Sequence, residues 1–169
     1  MIRMSKLADY GLVLMTQFLR SEESDLNLSA RQLADETRLP FPMVSKVLKA
    51  LTREGLLVSH RGASGGYSLS RPACEISIAE VLEAVEGPFA MTECVEGSGD
   101  CRQELVCPVR TNWQRINIAV KNVLDGISLQ DMLAPLPESL VTLIGEDPVA
   151  GPSFDRERPV ETRQPCEVA

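Results

Sequence analysis

The sequence predicts a mainly α fold with a small β wing: a winged helix-turn-helix, then a cysteine-bearing loop and one long helix. Three observations carry that expectation. Two short helical patterns meet at a proline-interrupted turn between Leu28 and Gly55. A glycine-rich hairpin, Leu56 to Leu69, follows directly. Helical periodicity then returns after a long irregular stretch, at Pro108.

Taken in order, Ser5 caps a first helix from Lys6 to about Arg20, with Leu7, Tyr10, Leu14, Met15, Phe18 and Leu19 as its buried stripe. Ser21 to Asp25 is a polar loop. Ser29 and Gln32 have capping-box spacing and start the next helix, which turns Leu33 and Ala34 inward. Pro40 pushes Leu39 out of the helical region and ends it. Pro42 suits the first turn of the following helix, where no amide hydrogen is needed. Val44, Val47, Leu48 and Leu51 give that helix its apolar stripe, and Gly55 closes it with a left-handed cap. Strands at Leu56–His60 and Tyr67–Leu69 flank the tip Arg61-Gly-Ala-Ser-Gly-Gly66.

Ser77 and Glu80 form a second capping box, starting a helix from Ile78 to Glu86 that Gly87-Pro88 ends. Phe89 to Cys107 shows no usable period. A loop of that length in a compact domain is usually functional or disordered. Pro108 opens the long helix, which ends at Gly126. Trp113, Ile116, Val120 and Val123 recur at three- and four-residue steps, and pairing with a second copy is expected. Ser128 and Asp131 suggest one more turn through Leu133. Residues 134–169 hold six of the eleven Pro and read as a disordered tail. The expected organisation is a DNA-binding winged helix over 1–76, a sensor loop and dimerisation helices over 77–133, and the tail over 134–169.

Composition bounds the function. The chain of 169 residues is 44% hydrophobic and has no apolar run of about 18 residues, so no membrane partner is expected. No signal-peptide core follows Met1-Ile-Arg-Met-Ser-Lys6, which points to the cytoplasm. In that reducing setting five Cys do not imply disulfides. A single His and no nucleophile–base pair argue against an enzyme and a small-molecule substrate. Net charge is −7 but unevenly spread. Residues 1–71 carry 10 Lys/Arg against 7 Asp/Glu (+3), residues 72–133 carry 4 against 10 (−6), and residues 134–169 carry 3 against 7 (−4). The winged helix lies in the only basic part, as recognition of the phosphate backbone of double-stranded DNA requires.

The exposed face of the second helix of the pair presents Met43, Ser45, Lys46, Lys49 and Arg53, and Arg61 stands at the base of the wing tip. With Ser29, Pro42, Gly65, Gly66 and Tyr67 these form the candidate DNA-binding set. The alternative is an αα-hairpin and a β-hairpin used for protein contact.

Cys94, Cys101 and Cys107 share the long loop with C-x6-C-x5-C spacing. Thiolates suit iron–sulfur clusters, zinc or Cu(I). The spacing lacks the close pair common in structural zinc sites, and Cys107-Pro108 is like the end of ferredoxin cluster runs. A zinc staple and unligated thiols remain open. Asp9, Glu93, Asp100 and Glu104 are candidate fourth ligands. His60 reads as a wing residue near phosphate, Cys74 as a small packing residue and Cys166 as an incidental tail thiol.

Leu7-Ala-Asp-Tyr-Gly11, Pro42-Met-Val-Ser-Lys-Val-Leu48, Gly55-Leu-Leu-Val58, Arg61-Gly-Ala-Ser-Gly-Gly-Tyr67, Glu75-Ile-Ser-Ile78 and the three Cys with Cys107-Pro108 resemble one family. It is the iron–sulfur winged-helix transcription regulators of the IscR/NsrR type, and within it the subgroup regulating SUF cluster assembly. The resemblance covers residues 1 to about 133. It implies a homodimer crossing over through the long helix and an iron–sulfur cluster held by Cys94, Cys101 and Cys107. It also implies operator contact by the second helix and Arg61, and hence a repressor of SUF genes that senses cluster status. One position departs from the pattern: IscR-like members place a His where Arg110 stands. NsrR-like members use an acidic residue from the first helix of the partner, and Asp9 occupies that position. The expectation is therefore 4Fe-4S over 2Fe-2S, with Asp9 of the partner subunit or an exchangeable group as fourth ligand. The rivals are a cluster-free thiol or nitrosative-stress regulator on the same scaffold, and a zinc-stapled adaptor that binds protein.

Overall fold

The computed structural model describes residues 4–21, 27–62, 65–92, 95, 101 and 107–134; the proposed tail beyond Ala134, Cys94 and the candidate ligands Glu93, Asp100 and Glu104 lie outside them. Among the described residues, five α-helices and one hairpin follow in order: α1 (Lys6–Ser21), α2 (Ala30–Thr37), α3 (Phe41–Arg53), β1 (Leu57–His60), β2 (Gly66–Leu69), α4 (Ile78–Glu86) and α5 (Arg110–Asp125). Short 3₁₀ turns lie at Ala73–Glu75 and Gln130–Leu133. The fold is mainly α with a two-stranded wing, as the sequence leads one to expect.

Local chemistry sets the helix ends. The Ser5 hydroxyl accepts the amide hydrogens of Leu7 and Ala8 at 3.1 and 3.2 Å and opens α1. Capping boxes open α2 at Ser29/Gln32 and α4 at Ser77/Glu80. Proline alone does not end α2: Arg38 takes a left-handed conformation, φ 56°, and reverses the chain. Pro40 disfavours a helical Leu39, so the turn has to close one residue earlier. At the other end of α3, the Leu56 amide donates to Leu51 O at 2.9 Å and the Gly55 amide to Thr52 O at 3.2 Å. That is the Schellman arrangement, and Gly55 supplies its positive φ of 74°.

α1–α4 surround one core in which Leu14, Met15, Phe18, Leu33, Val44, Val47, Leu48 and Leu51 are buried. Gly11 lets α1 close on α4: an added Cβ would sit 3.1 Å from Val85 Cγ2. The wing is antiparallel, with Leu57 opposite Leu69 and His60 opposite Gly66. Leu28 adds a bridge to Tyr67, with N–H···O distances of 3.0 and 2.9 Å. After α5 the chain returns to the start of α4. The Ile78 amide donates to Ile127 O at 2.9 Å and the Leu129 amide to Ile76 O at 2.7 Å, which buries Leu129 in the core.

The apolar stripe expected of α5 divides between two faces. Leu124 packs toward Ala8, Ile78 and Leu82. Trp113 and Val120 are half-buried. Ile116 and Val123, on the other side, are 43% and 64% exposed, and Ile118 is 58% exposed. The residue of α5 buried within the chain is polar: Asn117, at 7% exposure.

Candidate nucleic-acid interface and cysteine loop

The amphipathic pattern of α3 decides what it shows to solvent. With Val44, Val47, Leu48 and Leu51 buried, Pro42, Lys46, Lys49 and Arg53 are exposed and Met43 and Ser45 half-buried. The second helix of a helix-turn-helix is the one that enters the major groove, leading with its N-terminal residues. Arg53 is shared with its neighbour Glu54, Nε to Oε1 at 2.9 Å, an exposed pair worth little in water.

On the wing, Arg61 is exposed beside Gly62, whose φ is 116°. Ala63 and Ser64 of the tip lie outside the described residues. Gly65 and Gly66 have a packing cause of their own. A Cβ on Gly65 would meet His60 O at 2.5 Å, and one on Gly66 would meet the Leu28 backbone at 2.8 Å. Tyr67 packs on the core and pairs with Leu28. His60 Nε2 lies 2.9 Å from Ser68 Oγ across the hairpin. The Ser29 hydroxyl is the acceptor that caps α2, from the Gln32 amide at 3.2 Å. Ser29 therefore has a structural role at the base of the interface.

Cys101 and Cys107 are free, half-buried thiols. Cys94 lies outside the described residues, and among the described ones no three His, Cys, Asp or Glu side chains cluster as a metal site. Asp9 is exposed in the first turn of α1. Arg110 is the first residue of α5. Cys74 is not a simple packing residue: it is half-buried and disulfide-bonded.

The loop is anchored where it leaves α4. Glu83 accepts the Phe89 amide at 3.2 Å and also the Lys121 ammonium of α5. The Glu83 hydrogen bond holds Lys121 above the usual lysine value. Asn117 accepts the Met91 amide hydrogen at 3.0 Å and donates to Phe89 O at 3.1 Å. Neither Glu83 nor Asn117 was a sequence candidate. An Asn in a helical stripe of apolar residues is the signal that could have marked the second. At the base of α4, Arg71 pairs with Glu80. Burial alone would raise Glu80, but the Ser77 amide and Arg71 outweigh it and hold the carboxyl below its ordinary value. Cys101 and Cys107, the half-buried thiols described here, are of a ligand type that suits a soft metal or an iron–sulfur cluster.

Known proteins share this fold. An HTH-type transcriptional regulator of Mycobacterium tuberculosis is 33% identical over 144 residues, covering 84% of this chain and 88% of its own. NsrR of Oceanobacillus iheyensis is 29% identical over 150 residues, 88% of this chain and all of its own. The solved structure of CymR, the global cysteine regulator of Bacillus subtilis, superposes with a TM-score of 0.62 at 28% identity, covering 81% of this chain and 100% of that one. The Rrf2 family, described as iron-dependent transcriptional regulators, matches residues 4–135. These relatives are regulators rather than enzymes, and no helix among the described residues is long and apolar enough to cross a membrane. A cationic recognition helix beside a glycine-bound wing is thus read in its family setting: the chain belongs to the Rrf2 family of winged-helix transcriptional regulators.

Proposed function

We propose that this regulator is a homodimeric, cytoplasmic repressor that senses iron–sulfur cluster status and controls SUF cluster-assembly genes. The observation that carries the sensing role is the pair of free, half-buried thiols, Cys101 and Cys107, on a loop anchored to α4 and α5. Cys94, Cys101 and Cys107 would hold the cluster, with Asp9 of the partner subunit as the fourth ligand of a 4Fe-4S type. When bound, such a cluster supplies a redox- and oxygen-sensitive link between thiolates that are otherwise independent. The rest falls to the chain. The loop leaves from α4, and α4 packs on α1 and α3, so ordering the loop biases the placement of the recognition helix. Met43, Ser45 and Lys46 would read base edges in the major groove, Lys49 and Arg53 would meet phosphates, and Arg61 would enter a minor groove. The exposed apolar face of α5, Ile116 with Ile118 and Val123, supports pairing with a second copy.

The test is anaerobic purification with visible absorbance and iron and sulfide analysis, for the wild type and for Ser at each of the three cysteines. The expected result is an iron-bearing chromophore in the wild type alone. Coupling of this kind is typically worth about 1–3 kcal/mol, a 5- to 150-fold change in operator affinity between loaded and cluster-free protein. Equal affinities would refute cluster sensing through DNA binding.

A second reading has its own observation. Cys74 is disulfide-bonded, and the chain is similar to a cysteine regulator, CymR. A thiol-responsive regulator without a cluster would show no chromophore and an operator affinity that follows dithiothreitol instead.

A further inference from the structure

The recognition helix begins on an apolar tip. Pro40, Phe41 and Pro42 are all exposed. Phe41 keeps 49% of its surface open, whereas the adjacent Leu39 packs against the core. The core therefore does not account for a phenylalanine at the first position of α3. Helical spacing places Phe41 on the face of Ser45, four residues on, with Lys46 and Lys49 beside it. That is the part of the helix which reaches base edges in the major groove.

The same tip is poor in donors. Pro40 and Pro42 have no amide hydrogen, and the Met43 amide is taken by Pro40 O at 2.8 Å. A tip so built is ill suited to reading base-edge acceptors or phosphates. The one apolar mark a base pair shows in the major groove is the C5-methyl of thymine. Wedging between base steps is a minor-groove device, on the opposite side of the duplex from a recognition helix. We infer that Phe41 is a specificity-determining residue that packs on thymine C5-methyl groups in each operator half-site. The inference rests on the reading of α3 as the base-reading helix.

The experiment uses the full chain and duplexes that it selects from a random pool. Each thymine in the protected half-sites is replaced in turn by deoxyuridine, which removes the methyl and leaves every hydrogen-bonding edge. Wild type should lose about fourfold in affinity at one or two positions per half-site, the worth of one methyl-sized group. Phe41→Ala should bind the thymine and uracil operators alike, and Phe41→Leu, still apolar, should keep part of the discrimination. Because the ring is exposed, all three proteins should share one unfolding midpoint. Wild-type indifference to uracil at every position would overturn the inference, as would full discrimination by Phe41→Ala. Failure to select any sequence would refute operator binding itself, a different outcome from a selected operator that is blind to the methyl.

Discussion

Asn117 of α5 holds the backbone of Met91 with its side-chain oxygen at 3.0 Å, twenty-six positions back along the chain. Its amide nitrogen holds Phe89 O in the same stroke. The first residues of the cysteine loop are thus fastened to the long helix by one buried carboxamide. Asn117→Leu would leave a backbone donor and an acceptor without their partner. Stability should fall by about 1–3 kcal/mol, read from urea unfolding. An unchanged midpoint would show that the loop is held by other contacts.

Gly66 should not tolerate a side chain. A methyl there lands 2.8 Å from the Leu28 backbone, at the bridge that ties the wing to the start of α2. Gly66→Ala should lower stability by about 1–3 kcal/mol through overpacking. It should weaken operator binding as the wing shifts. Wild-type unfolding and wild-type affinity together would refute this.

Lys49 is exposed on the open face of α3. Lys49→Ala should weaken binding to every duplex sequence and lower the salt slope of log K by about one unit. A slope equal to that of wild type would remove Lys49 from the phosphate contacts.

Ile116 and Val123 lie on the outer face of α5, away from the chain's own core. Changing both to Glu should leave the monomer fold intact, by circular dichroism, and give monomers in sedimentation. Operator binding should then collapse, since half-sites are read in pairs about 34–36 Å apart. A wild-type protein that is itself monomeric at micromolar concentration would dispose of the dimer.

Glu80 provides a pH signature. Its folded carboxyl titrates below the ordinary 4.5, so the ionised form favours the fold. That stability is present above 4.5 and is lost as pH falls through the lowered folded value. Asp131, held low by the Ser128 hydroxyl, acts in the same sense. Glu80→Gln should flatten the acid limb of stability against pH, measured as urea midpoints. An acid limb as steep as that of wild type would assign acid sensitivity elsewhere.

Where the chain signals locally, sequence and structure agree. The Ser77/Glu80 box and Gly87 bound α4 at both predicted ends. Gly55 closes α3 with its positive φ, which lets the next amide, Leu56, reach back to Leu51 O, a short-range pattern. The reversal at Arg38 was hidden, because a left-handed arginine has no signature beyond the proline two residues on. The faces of α5 were hidden for another reason. Periodicity groups Ile116 and Val123 with Trp113, but it cannot tell a face packed within the chain from one left open. Asn117 was missed because its partners, Phe89 and Met91, are remote in sequence and are backbone atoms. The three loop thiols stood out by spacing alone, whereas the disulfide of Cys74 has no sequence signature.

The return of Ile127 and Leu129 to the start of α4 has a mechanical consequence. The bridge between Ser77 and Ser128 forms the foot of a ladder, Lys121 with Glu83 its middle rung, and Asn117 with Phe89 and Met91 its top. α4 and α5 are the rails, and the cysteine loop hangs from the upper end. A strut built this way tilts rather than bends. Displacement of the loop is passed to α4, which packs on the shared core along its length, up to Val85 beside Gly11. On the proposed sensing role, the reach of the loop is a question of stiffness, and weakening a single rung should mute the response to the loop before it loosens the grip on DNA.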